Sequence, residues 1–245
     1  MRFFTIILVL LTTSFFANQS DSLKLKNWAI GATFSPDYCY RMPYKVKPNL
    51  VSTNTESAVL GITTGFNVLC RLSNIIAIET GILYSTKGQR ITNASWLAPN
   101  YDYYDPSIPN SGSPTVIPEP ARQNVFTYKY IEIPLKVYVY LVNKKFKLFP
   151  SIGCSTNIFV GKKTVTQYKT IETISTNISY DSDSKNIPSF EFGILAGIGM
   201  TYDINKNVFV KFEPSYRTFI RPLIDGPIRG TFYSIGVNTG FYYRF

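Results

Sequence analysis

Between Lys129 and Leu141 apolar side chains recur at every second position without a break. One face reads Ile131, Ile133, Leu135, Val137, Val139 and Leu141, and the other Tyr130, Glu132, Pro134, Lys136, Tyr138 and Tyr140. Successive side chains of a strand point to opposite sides, so this period of two predicts a strand with one greasy and one polar or crowded face. The C-terminus repeats the pattern. Tyr233, Ile235, Val237, Thr239, Phe241, Tyr243 and Phe245 alternate with Ser234, Gly236, Asn238, Gly240, Tyr242 and Arg244. No comparable stripe with a period of 3.6 appears. After the first residues no apolar run reaches the roughly 18 residues that a membrane-spanning helix needs.

Eight such segments can be placed, near residues 27–39, 56–71, 75–90, 123–141, 146–161, 188–203, 207–221 and 229–245. Short turns at Leu72–Asn74, Val142–Lys145 and Asp203–Lys206 alternate with longer loops near 41–55, 91–121 and 162–187 and a moderate one at 222–228. Strict alternation of tight turns and long loops marks an up-and-down barrel with its turns on one side of a membrane. The fold class expected is therefore all-β: an eight-stranded antiparallel up-and-down transmembrane β-barrel with both termini on the periplasmic, short-turn side. A soluble barrel would invert the chemistry, apolar inside and polar outside. The polar faces carry Glu79, Glu132, Lys136, Glu191, Lys211, Glu213 and Arg217. A membrane barrel turns the aliphatic rows to lipid and lets these charges pair inside. Eight strands leave an interior that side chains alone can fill, so a plugged, ion-paired lumen is expected, with inner-face glycines such as Gly197 and Gly236 relieving the crowding. Tyr243 and Phe245 are expected at one aromatic rim, and Tyr84, Phe126 and Tyr128 toward the other.

Composition fits this reading. The chain holds 18 Tyr and 18 Phe but only 16% charged residues, which favours strands and a surface not wholly in water. Its formal charge is +10. The basic residues are scattered rather than gathered in a stripe, so no nucleic-acid partner is expected; anionic lipid headgroups and lipopolysaccharide are. Residues 1–17, with Arg2 ahead of an apolar core at Ile6–Leu11, read as a signal peptide, which leaves 18–245 as the barrel domain. Phe15 makes the cleavage point ambiguous. Cys39, Cys70 and Cys154 show no CxxC or metal spacing. Cys70 and Cys154 fall on apolar strand faces as small hydrophobes, and a disulfide with one thiol left over is the other reading of an odd count.

The chain has no histidine. That removes Ser-His-Asp and Cys-His catalysis and His-ligated zinc. No phosphate-binding loop or dinucleotide fingerprint is present, so no cofactor and no catalytic or metal residue is expected. Glu132 with Glu191, or Glu79 with Glu213, could form a carboxylate pair for acid–base work, but Lys136, Lys211 and Arg217 are at hand to neutralise them. The loop from Ile91 to Ala121 holds Pro99, Pro106, Pro109, Pro114, Pro118 and Pro120 and the aromatics Trp96, Tyr101, Tyr103 and Tyr104, with only acidic charges. Stiff backbone and aromatic contact area suit a binding loop, and equally suit a long variable one. The stretch 162–187, with Lys162, Lys163, Lys169 and Lys185, is its basic counterpart.

The segments Glu79–Gly88 (ETGILYSTKG) and Tyr130–Lys136 (YIEIPLK) resemble the outer-membrane β-barrel domain family of Bacteroidota, the PorT-like group. The resemblance implies a signal sequence and an eight-stranded barrel, and brings no catalytic residues. PorT itself is associated with the type IX secretion system, whereas most relatives have no assigned activity. The function expected is a non-enzymatic outer-membrane barrel, structural or accessory, with secretion or other envelope proteins as partners. The alternative is a small channel or ligand-uptake barrel.

Overall fold

The computed structural model describes residues 28–46, 56–92, 121–169, 174–181, 187–222 and 228–245, and every regular element among them is a strand. In chain order these are β1 (Trp28–Val46), β2 (Glu56–Ser57), β3 (Val59–Arg71), β4 (Ile76–Thr92), β5 (Ala121–Val139), β6 (Val142–Asn143), β7 (Phe146–Lys169), β8 (Ile174–Asp181), β9 (Phe190–Asp203), β10 (Val208–Phe219) and β11 (Ile228–Arg244). Eight of them close a ring in the order β1-β3-β4-β5-β7-β9-β10-β11, every neighbour antiparallel. The first and last strands seal it, from Ala29 opposite Arg244 to Val46 opposite Ile228. The short pieces prolong the wall: β2 continues β3 along β4 and β6 continues β5 along β7, while β8 pairs with the outer part of β7.

The tight turns are built by local polar groups. The Ser73 hydroxyl accepts the amides of Ile75 and Ile76 at 3.2 and 3.0 Å. The Asn205 side-chain oxygen accepts those of Asn207 and Val208, both at 2.8 Å, the local side-chain turn that Asn and Ser favour. All three turns share one end of the barrel with Trp28 and Phe245, whose backbones bond at 3.0 Å. This is the turn end; the opposite end is the loop end.

The alternation divides wall from lumen. Leu60 and Ile198 on the outer faces are 77% and 71% exposed, whereas Glu79 and Glu213 on the inner faces are 0% exposed. An apolar exterior over a charged interior is the polarity of a membrane barrel. Where a Cβ on Gly236 would stand, the Asp37 carboxylate already lies, and on Gly199 it would meet the Phe149 ring. These glycines give the inner face its room.

Three expectations change. The fifth barrel strand does not end near 161: β7 runs to Lys169 and folds back onto β8, so the expected loop 162–187 is largely a hairpin. Thr164, Val165, Thr166 and, on β8, Thr176 and Ile178 are strand-favouring residues that the lysines overshadow in the sequence. The first strand extends beyond 39 to Val46. Finally, Tyr128 is buried at 1% exposure and Phe126 packs with it inside the barrel. Both share the even-numbered inner face with Glu132, so parity outweighs their position near a strand end. No helix among the described residues is long and apolar enough to cross a membrane. All three cysteines are free; Cys39 points inward and is buried, while Cys154 is exposed on the outer wall.

Candidate functional site: the charged lumen

Pairing register places the central charges. Glu79 on β4 stands opposite Lys136 on β5, and Lys211 and Glu213 lie two apart on the inner face of β10. The Lys211 ammonium donates to both Glu79 oxygens, at 2.8 and 2.6 Å, and lies 3.5 Å from Glu213. Lys136 donates to Glu213 at 2.9 Å and lies 3.1 Å from Glu79. The Tyr138 and Tyr242 hydroxyls donate to Glu79 at 2.8 and 2.9 Å, and Ser151 donates to Glu213 at 2.6 Å. Two carboxylates and two ammonium groups thus form a neutral, hydrogen-bonded square. Burial of charge is tolerable only with such partners.

A second layer lies toward the loop end. Arg217 donates to Asp37 at 2.6 Å and to Asn238 at 2.5 Å. Asp37 also accepts the hydroxyls of Ser35 and Thr63 at 2.7 and 2.5 Å. Lys87 donates to Glu132 at 3.3 Å, and the Arg217 Nε stands 3.9 Å from the other Glu132 oxygen. Further out, Arg41 on β1 is ion-paired with Glu56 on β2.

Aromatic side chains close the lumen on both sides of the charges. Tyr138, Tyr140, Phe149, Phe209 and Tyr242 form one buried cluster toward the turn end, with Phe209 and Tyr242 stacked at 4.9 Å. Tyr128, Tyr130, Phe219 and Phe232 form the other, with Tyr128 tilted on Phe232 at 5.3 Å and Tyr130 edge-on to Phe219 at 5.4 Å. Between them, the void bordered by Asn67, Lys136, Glu213 and Arg217 measures about 10 Å³, room for roughly one water.

Of the charges singled out in the sequence, six meet in these layers: Glu79, Glu132, Lys136, Lys211, Glu213 and Arg217. Glu191 stands apart. It is 1% exposed with no hydrogen-bond partner on either oxygen. Asn157 sits between it and Glu132 in the register, which separates that prospective carboxylate pair by a strand. Glu79 and Glu213 do come together, but over two shared ammonium groups rather than a substrate-sized gap. Asp37, Lys87, Arg41 and Glu56 were not singled out. Their inner-face strand-mates Ser35, Cys39 and Ser85 are small and only weakly polar, so the polarity contrast that flags the other strands is faint there. Trp96, Tyr101, Tyr103 and Tyr104 lie outside the described residues.

A closed antiparallel ring, apolar outside and filled inside by buried ion pairs, defines an integral β-barrel membrane protein. The outer membrane protein beta-barrel domain family matches residues 16–220. The chain belongs to that family, whose place is the bacterial outer membrane. The match ends before β11, the strand that closes the ring. No curated protein matches the chain. Among solved structures, Neisserial surface protein A shares 11% identity at a TM-score of 0.42, covering 89% of this chain and 97% of that one. OprG of Pseudomonas aeruginosa shares 12% at 0.41, covering 89% and 95%. The outer membrane protease OmpT of Escherichia coli shares 10% at 0.38, covering 93% and 99%. Likenesses this remote carry no functional argument.

Proposed function

We propose that this chain is a sealed, non-enzymatic outer-membrane barrel that serves as a structural or accessory component, with its working surface at the loop end. One observation carries the proposal: the lumen is blocked by two aromatic layers around a charged core, with about 10 Å³ of void at its centre. Such a barrel offers neither a pore nor a substrate cavity, which weighs against the small-channel alternative. The absence of histidine from the sequence and the neutralisation of Glu79 and Glu213 by lysines support the non-enzymatic reading. Function then falls to what projects. The β7–β8 hairpin prolongs the wall at the loop end, its β7 half paired with β5, and exposes Ile178 and Tyr180, while Lys129 and Lys163 lie over the Tyr180 ring at 5.6 and 5.7 Å. A basic, aromatic hairpin suits lipopolysaccharide phosphates or another envelope protein. Short turns and termini on the periplasmic side, a signal peptide over 1–17, and a PorT-like affinity with a link to secretion complete this reading.

Crosslinking in intact native membranes, with mass spectrometric mapping of the sites, tests it. The expected result is an envelope or secretion protein joined through Lys129 or Lys163 at yields comparable to this chain. If only abundant envelope proteins are recovered, at scattered sites, the accessory role is lost and a stand-alone barrel remains.

A further inference from the structure

The outer wall is not uniformly smooth. Two neighbouring rows cross β9, β10, β11 and β1 on the lipid face near the turn end. One row runs Tyr202, Val210, Phe241, Ala32, and the next Met200, Phe212, Thr239, Phe34. Large and small side chains alternate along the first row, and in the second Thr239 is the one small residue, set between Phe212 and Phe34. The small residues Val210, Ala32 and Thr239 therefore floor a hollow whose sides include Tyr202, Phe212 and Phe241. It measures about 510 Å³, within the roughly 300–1,000 Å³ of ordinary small-ligand sites. Its side-chain lining is almost wholly apolar.

Its turn-end rim is basic. The Lys145 ammonium lies over the Tyr202 ring, 5.3 Å from its centre, and the Lys145 carbonyl accepts the Asp203 amide at 3.0 Å, fixing that turn against β9. Lys206 sits in the β9–β10 turn, where Arg244 donates to its carbonyl at 3.4 Å. Asp203, the acidic side chain of the described turn end, is already paired with Lys147 and Arg244. Lys145 and Lys206 thus have no carboxylate partner among the described residues.

We propose that this hollow is a binding site for one anionic phospholipid, an acyl chain lying over Ala32, Val210 and Thr239 and the phosphate held by Lys145 and Lys206. The wall's apolar character makes lipid the occupant, and the two uncompensated ammonium groups at its head select the negative headgroup. Tyr202, apolar along its ring and polar at its hydroxyl, joins the two halves of the site.

Native mass spectrometry of the delipidated full-length chain, titrated with phosphatidylglycerol or phosphatidylcholine in a lipid-free detergent, tests this. One phosphatidylglycerol should stay bound at activation energies that strip phosphatidylcholine. The double variant Lys145→Gln/Lys206→Gln should lower that preference by about fivefold per lysine removed. Ala32→Phe, which fills the floor, should abolish retention of both lipids. Because Ala32 faces lipid, the variant's heat-modifiable gel migration confirms that the barrel is intact; should it fail to fold, Lys145→Gln and Lys206→Gln, on surface turns, still decide the question. Equal retention of the two lipids by the wild-type chain, or phosphatidylglycerol binding unchanged in the folded variants, would overturn the proposal.

Discussion

A buried ammonium group is stable only with carboxylates around it, and the converse holds for the carboxylates. Lys211 bonds both oxygens of Glu79 and approaches Glu213. Lys211→Met leaves two buried carboxylates sharing Lys136, and should lower stability by about 3–5 kcal/mol. Glu191 is the internal control. It is equally buried but unpartnered, so Glu191→Gln should cost less than about 1 kcal/mol or stabilise the fold. Urea titration followed by the folded-to-unfolded gel shift measures both; similar losses in the two variants would contradict the assignment of partners. At this scale the sequence was only partly legible. Lys136, Lys211, Glu213 and Arg217 were readable as inner-face charges because they break otherwise apolar alternation. Their pairing was not, since Glu79 and Lys211 are 132 residues apart in the chain and meet only through ring closure.

Each barrel strand works by parity, and parity gives the sharpest element-level test. Ile198 on β9 is 71% exposed toward lipid. Ile198→Arg should cost about 2–4 kcal/mol in folding measured in lipid vesicles, the penalty for a cation at mid-bilayer on a lipid face. The β7–β8 hairpin makes a different prediction. β8 pairs with β7 and no ring strand besides, and the ring resumes where the Phe159 amide bonds Ser189. Replacing residues 163–186 with a short flexible linker should leave heat-modifiable migration intact while removing any crosslinks at Lys163; loss of the folded band would show that the hairpin belongs to the barrel. The same contrast explains what could be read. The eight ring strands announced themselves by alternation of greasy and polar residues, the first of them least clearly. The hairpin hid because neither of its faces is a continuous apolar row: Val165, Ile178 and Tyr180 stand among lysines, threonines and serines, which leaves little contrast to detect.

As a whole the molecule is a wall with a packed interior. An eight-stranded ring is narrow, and here aromatic layers at both ends and a neutral ionic square between them consume its width. Closure follows from strand number and side-chain volume, and both were legible: the alternation of turns and loops gives the number, and Tyr130, Tyr138 and Tyr242 on inner faces give the bulk. What could not be read is the ordering of the filling into aromatic, ionic and aromatic layers, because it depends on the stagger between strands. The central claim, that the barrel is sealed, is tested most directly by single-channel recording. The purified chain, shown to be folded by its gel shift, is reconstituted into planar bilayers at neutral pH. A sealed barrel gives a flat baseline. Steady, reproducible conductance steps from the folded protein would contradict it.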